Sequence, residues 1–204
     1  VANAQKHKHN PEFIDDMVDT VNNSVNRMTN LMIQLRSGTR QTEQSDVELA
    51  ELLKNVLADC RLRTPIPELV LVDGKFTLIC DRERLQTVFE HLVQNAQEAT
   101  GKGGHVTVRL LSSNGSAVVE IEDNGIGMDE HFIQHRLFKP FDSTKGLTGM
   151  GIGAFESREF IRSLGGNINV QSTPGRGSVF RVHMPCLEAS GIGHANIALR
   201  GNIQ

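Results

Sequence analysis

The sequence predicts an α+β sandwich over residues 46–186, a mostly antiparallel sheet with helices on one face, preceded by one long helix. Three observations lead there. Beyond residue 46, short runs rich in β-branched residues alternate with longer stretches whose apolar residues recur at helical spacing. Turn residues, among them Asp73-Gly74, Ser113-Asn114-Gly115 and Pro174-Gly175-Arg176-Gly177, separate successive runs. Ahead of residue 38 the apolar period is strictly three and four, and the chain from Gly38 to Asp46 is polar.

The first helix opens at Asn10-Pro11-Glu12. These supply an N-cap side chain, a proline at the position where a missing N–H costs nothing, and a carboxylate near the positive end of the dipole. Ile14, Val18, Val21, Val25, Met28, Met32 and Leu35 then form a heptad seam that ends near Ser37-Gly38. So narrow a seam points to a bundle or dimer helix, although one amphipathic helix packed on the next domain has the same spelling. Residues 1–9 read as the tail of a preceding helix in an antiparallel hairpin. The expected organisation is a helical segment over 1–38, a linker over 39–45, a domain over 46–186 and a loose tail over 187–204.

Within the domain, Val47–Leu49 reads as a strand and Ala50–Cys60 as a helix, with Leu52, Leu53, Val56 and Leu57 on one face. Leu69–Val72 and Phe76–Cys80 read as a hairpin around Asp73-Gly74. Asp81 caps a helix that runs to about Thr100. This helix buries Leu85, Val88, Phe89, Leu92, Val93 and Ala96, and leaves His91 and Asn95 one turn apart on a shared stripe. Strands follow at His105–Leu111 and Ala117–Glu122, a helix at about Gly151–Leu164, and strands at Ile168–Ser172 and Ser178–Met184.

Composition narrows the function. A formal net charge of −3 and the absence of tyrosine and tryptophan disfavour nucleic acid, which calls for a basic groove and stacking rings. No apolar run is long enough to cross a bilayer, so this piece reads as soluble and cytoplasmic, with any membrane link in segments outside it. Cys60, Cys80 and Cys186 are odd in number, far apart and lack CxxC spacing, which fits buried thiols rather than disulfides or zinc.

Chemistry concentrates at a few places. Asp123-Asn124-Gly125-Ile126-Gly127-Met128 closes a strand, where a carboxylate can accept a bond from an exocyclic amine and two glycines let the backbone pass close to a flat ring. A strand-closing turn has the same spelling. Gly149, Gly151 and Gly153 are spaced to surround phosphate oxygens with backbone N–H groups and a helix N-terminus. They lack both the P-loop ending and the dinucleotide context. Asn95 offers an oxygen to a divalent cation, or serves as an ordinary helix-surface residue.

Order and spacing carry more weight than any one motif. H-L-V-Q-N-A-Q-E-A at 91–99, D-N-G-I-G-M at 123–128, R-L-F-K-P-F-D-S-T-K at 136–145, G-M-G-I-G at 149–153 and G-R-G-S-V-F at 175–180 resemble, in sequence order, the N, G1, F, G2 and final glycine boxes of the sensor histidine kinases. The resemblance covers residues 46–185 and implies a Bergerat-type (GHKL) ATP-binding sandwich, with residues 1–38 part of the dimerising hairpin. A finer resemblance, through E-F-I-D-D-M, H-L-V-Q-N-A and G-M-G-I-G-A-F-E-S-R-E-F-I, is to the PrsK-type kinases of exosortase systems.

Residue by residue, the resemblance implies that Asn95 holds Mg²⁺ and Asp123 bonds the adenine amine, with Gly125 and Gly127 admitting the ring. It gives Gly149, Gly151 and Gly153 to the phosphates. Phe138 and Phe141 become anchors of a lid over about 129–148, Lys145 a partner of the terminal phosphates, and Ser178 a lining residue of the adenine pocket. The family has an asparagine where this chain has His91, a poor Mg²⁺ ligand that can still orient the attacking group or a water. No histidine stands in a phosphoacceptor setting, and His7 and His9 are rejected for that role. The fragment is therefore expected to bind Mg-ATP without phosphorylating itself, the acceptor lying upstream. The implied partners are a second copy of the chain, through the first helix, and a response-regulator receiver domain. A GHKL clamp ATPase and a catalytically silent dimerisation or regulatory module are the competing readings.

Overall fold

The computed structural model describes residues 43–71, 75–113, 115–140, 142 and 151–188, together with Val21, Val25 and Met28. The chain divides into two compact units, Val1–Thr42 and Glu43–Gln204. In the first unit, Val21, Val25 and Met28 are helical and exposed.

The second unit runs β1 (Ser45–Glu48), α1 (Leu49–Cys60), β2 (Glu68–Leu71), β3 (Phe76–Cys80), α2 (Arg82–Ala99), β4 (Val106–Ser113), β5 (Ser116–Asp123), α3 (Glu130–His135), α4 (Gly153–Ser163), β6 (Asn167–Thr173), β7 (Gly177–Pro185) and β8 (Leu187–Glu188). Its main sheet has five strands in the order β2-β4-β5-β7-β6, antiparallel except for the β2–β4 pair. A three-stranded sheet, β1-β3-β8, completes it. The α+β sandwich is as expected.

Strand alternation explains the layering. Val106, Val108 and Leu110 of β4, Ala117, Val119 and Ile121 of β5, and Phe180, Val182 and Met184 of β7 are buried. On the opposite face Arg109 pairs with Glu120 at 3.0 Å and with Glu122, and Arg181 pairs with Glu120 at 2.7 Å, so that face presents a charged ladder to water. The inner face is covered by α1, α2 and α4, whose buried residues include Leu52, Leu53, Val56, Leu85, Phe89, Leu92, Phe160 and Ile161. Asp81 caps α2 as the sequence indicates, its carboxylate accepting from the Arg84 N–H at 3.0 Å.

Two expectations are corrected. β2 and β3 form no hairpin. β2 pairs in parallel with β4, while β3 pairs antiparallel with β1, so the two strands belong to different sheets. The Asp73-Gly74 turn signal is local, whereas the partner of each strand follows from which surface buries Leu69 and which buries Phe76, Leu78 and Cys80. The start of the supposed tail is also ordered, since Leu187 and Glu188 pair with Thr77 and Phe76; residues 189–204 lie outside the described part. A short helix, α3, stands between β5 and α4, where the sequence assigned no element, capped by the Asp129 carboxylate accepting from Phe132 N–H at 2.7 Å.

The cysteines are free. Cys60 and Cys80 are buried, and Cys186 is half-buried. Burial, helped by Asp81, pushes the Cys80 thiol up to about 11, as suits an inert core group. Gln97 was not singled out in the sequence, yet it is buried and its amide donates to the carbonyls of Cys60 (3.0 Å), Arg63 (3.1 Å) and Pro65 (2.9 Å). It thereby ties the loop after α1 to α2.

Candidate nucleotide site

The site is built where α2 ends, β5 ends and the β6–β7 turn folds over. The apolar stripe of α2 faces the sheet, and this places His91 and Asn95 on the adjacent stripe, both half-buried. After β5 the chain turns against the C-terminal end of the same helix. Ile126 N–H donates to Ala99 O at 3.0 Å, and His105 N–H donates to the Asn124 side chain at 2.7 Å. From the other side Gly175 N–H donates to Ile126 O at 2.7 Å. The D-N-G-I-G loop is thus clamped between α2 and the β6–β7 turn, with the Ile126 side chain left exposed.

The glycines serve this clamp. A Cβ at Gly125 would stand 2.2 Å from Ala99 O, and one at Gly127, where φ is +65°, would stand 2.0 Å from Thr173 O. At both positions the Cβ direction is occupied by a backbone carbonyl, so only glycine fits there. Gly177 has φ +97°, and a Cβ there would meet Asp123 O at 1.9 Å. The final glycine box therefore lies against the carboxylate end of β5.

Asp123 is 4 % exposed. It sits opposite Ser178 in the β5–β7 register, and its Oδ1 accepts from Gly125 N–H at 2.8 Å. Burial pushes its carboxyl above the usual range, against the opposing effect of bonds from Gly125 and from the backbone and hydroxyl of Ser178. A carboxylate held this way keeps a fixed orientation and is a poor place for anything but a hydrogen-bond donor.

At the far side, α4 begins without a side-chain cap, so its first N–H groups are not engaged by a capping side chain. Gly153, its first residue, lies against the His91 ring, and Gly151, with φ +63°, lies against the Asp142 backbone. The structure therefore brings His91 and Gly153 together, and separately joins Asp123 with Ser178, Gly125 and Gly177. Phe138 is half-buried against the core beneath Arg158, whose guanidinium carbon is 4.5 Å from the ring centroid and whose Nη2 donates to Phe138 O at 3.4 Å. Arg136 holds Asp142 through Nε and Nη2 at 2.5 to 3.1 Å. That pairing keeps the Asp142 carboxyl below its ordinary value and raises the Arg136 guanidinium. Phe141, Lys145 and Gly149 lie outside the described residues. Arg136 and Asp142 lie within R-L-F-K-P-F-D-S-T-K and Arg158 within G-M-G-I-G-A-F-E-S-R-E-F-I, but the motifs do not reveal their contacts, and Ser172 lies in no motif.

Among the described residues no group of three His, Cys, Asp or Glu side chains is placed to hold a metal. Among the described residues the motifs name one metal donor, the amide oxygen of half-buried Asn95. A single oxygen donor suits Mg²⁺, which keeps its waters and takes most of its protein-independent ligands from phosphates, and does not suit a metal caged by protein alone. No described helix is long and apolar enough to cross a membrane.

Known proteins share the sequence and fold of this domain. Over 181 residues the chain is 28% identical to the alginate biosynthesis sensor protein KinB of Pseudomonas aeruginosa, covering 83% of this chain and 30% of that protein. The catalytic domain of histidine kinase ThkA is similar in structure, with a TM-score of 0.60 at 27% identity, covering 70% of this chain and 95% of that one. Full-length ShkA in complex with AMPPNP superposes with a TM-score of 0.65 at 19% identity, covering 87% of this chain and 39% of that one, a likeness of fold. The chain thus spans less than a third of the curated relative's length. The family described as histidine kinase-, DNA gyrase B- and HSP90-like ATPase matches residues 80–188, more than half of the chain, and the chain belongs to that ATP-binding family.

Proposed function

We propose that this chain is the ATP-binding catalytic region of a sensor histidine kinase, which passes the γ-phosphoryl group of ATP to a histidine upstream of residue 1 and then to an aspartate of a response regulator. The observation that carries the reading is the buried Asp123 at the end of β5, fixed by Gly125 and Ser178 on the same domain that bears Asn95 on α2 and the uncapped start of α4.

In this reading Asp123 accepts a bond from the adenine amine and Ser178 lines the same pocket. Asn95 takes part in holding Mg²⁺, which neutralises phosphate charge during transfer. Gly149, Gly151, Gly153 and the α4 N-terminus receive the phosphates. Phe138, with Arg158 over its ring, and Phe141 anchor the segment that covers the nucleotide, and Lys145 meets the terminal phosphates. His91, against Gly153, orients the phosphate loop relative to Asn95.

The exposed Val21, Val25 and Met28 support a helix that pairs with a second copy through its seam. Likeness to a sensor protein such as KinB supports a signalling role and, with it, a response-regulator receiver domain as partner; a membrane link elsewhere in the protein rests on the sequence resemblance alone. The finer PrsK-type assignment rests on the sequence motifs alone.

Calorimetric titration of the full chain with Mg-ATP tests the site: the parent binds, and Asp123→Asn and Asn95→Ala lose affinity. No binding by the parent sinks the reading. A version extended upstream through an acceptor helix is expected to acquire acid-labile, base-stable phosphate. ATP turnover without such phosphate would mark a clamp ATPase instead.

A further inference from the structure

The hydroxyl of Ser172, on β6, joins three segments of the site. It accepts from Met128 N–H at 2.8 Å, at the far end of the D-N-G-I-G-M loop. It reaches Gly177 O at 2.8 Å in the β6–β7 turn and stands 3.0 Å from Ser178 Oγ. Ser178 in turn faces Asp123 across the β5–β7 register, and its backbone and hydroxyl favour the ionised carboxylate against burial.

Counting protons orders this cluster. Each hydroxyl has one proton and two lone pairs, and an ionised carboxylate accepts only. With the Ser178 proton turned to the facing Asp123 carboxylate, Ser178 Oγ is an acceptor in its contact with Ser172. The Ser172 proton is then shared between Ser178 Oγ and Gly177 O, and a Ser172 lone pair takes the Met128 N–H. The chain of donors runs from Met128 through Ser172 and Ser178 to Asp123, and each bond polarises the next.

We propose that Ser172 is a positioning residue for nucleobase selection: by linking Met128 to Ser178 it holds the Asp123 carboxylate as a fixed acceptor, which favours adenine over guanine. An adenine presents a 6-amino donor to that carboxylate, whereas a guanine presents a 6-oxo acceptor that it repels. Ser172 touches no nucleotide itself. The proposal rests on the reading of Asp123 as the base-recognising group, and it extends that reading to a residue on a different strand.

The test compares Mg-ATP and Mg-GTP binding by the full chain with those of Ser172→Ala and Ser172→Thr, and follows amide exchange at Met128 without nucleotide. Ser172→Ala is expected to lose about tenfold in ATP affinity, the worth of one net hydrogen bond to a charged network. GTP binding should change little, so the ATP-to-GTP ratio falls by a similar factor. Met128 should exchange faster, and Ser172→Thr, which keeps the hydroxyl, should restore both readings. Ser172→Cys keeps the volume without the strong hydroxyl and carries the same expectation should the alanine variant fail to fold. An unchanged ratio in a parent that binds ATP overturns the proposal alone, as does an equal loss for both nucleotides that threonine fails to restore. A parent that binds neither nucleotide overturns the site and the proposal together.

Discussion

The His91 imidazole on α2 lies against Gly153 at the first turn of α4: a Cβ at residue 153 would stand 3.3 Å from Nδ1 and 3.4 Å from Cγ. Two motifs more than fifty residues apart therefore share one contact. Gly153→Ala gains helix propensity of up to about 1 kcal/mol but displaces the ring by a few tenths of an ångström. Thermal stability should stay within about 1 kcal/mol of the parent, because the two effects oppose each other. Mg-ATP affinity should fall, and His91→Ala should relieve that loss in the double variant. A double-mutant cycle on binding measures the coupling.

Gly127 is the more severe position. With φ at +65° and a Cβ site 2.0 Å from Thr173 O, alanine has no space and an unfavourable backbone. Gly127→Ala should cost more than about 2 kcal/mol in urea unfolding, from strain and backbone displacement together. Gly103→Ala, with nothing within 4 Å of its Cβ site, should change stability by less than about 0.5 kcal/mol.

Gln97 predicts a loss of stability outside the nucleotide pocket. Its buried amide satisfies carbonyls of Cys60, Arg63 and Pro65, and leucine would leave them without that donor. Gln97→Leu is expected to destabilise by about 2 kcal/mol, the penalty for stranding buried acceptors. Chemical denaturation checks the value, and amide exchange around residues 60–66 locates the loosening.

Asp123 sets opposite pH dependences for stability and binding. Burial raises its carboxyl above the unfolded value, so its contribution to stability is fullest below the unfolded value and declines as pH rises through the folded one. Binding an amine requires the ionised form, so ATP affinity should decline as pH falls through that same raised value, starting at higher pH than for an ordinary aspartate. Asp123→Asn should flatten this part of the stability profile and lose Mg-ATP binding. Denaturation and calorimetry across the acidic range check both limbs. Unaltered affinity through that range would remove Asp123 from base recognition.

Much of the domain was legible because its signals are local. The apolar spacing of Leu85, Val88, Phe89, Leu92 and Val93 specifies a helix and its buried face, and Asp81 marks its start. Alternation specifies β4, β5 and β7, and the order of the motifs specifies the family. Both follow from side-chain polarity and chain periodicity, which need no knowledge of distant partners.

Tertiary structure decided what local signals leave open. Residues 69–72 and 76–80 have hairpin spelling, yet strand partners are chosen by the surfaces they bury, and these strands go to different sheets. The polar run after Asp123 hides α3, too short for a helical period to show. Ser172 and Gln97 are common polar residues whose meaning comes from atoms dozens of positions away. The same holds for D-N-G-I-G-M: its residues announce a close approach, and only the folded chain shows that Ala99 O and Thr173 O are what approach Gly125 and Gly127. Sequence determined the elements and the family because periodicity and motif order are properties of the chain. Contacts between remote backbone groups are properties of the fold, and there the structure decided.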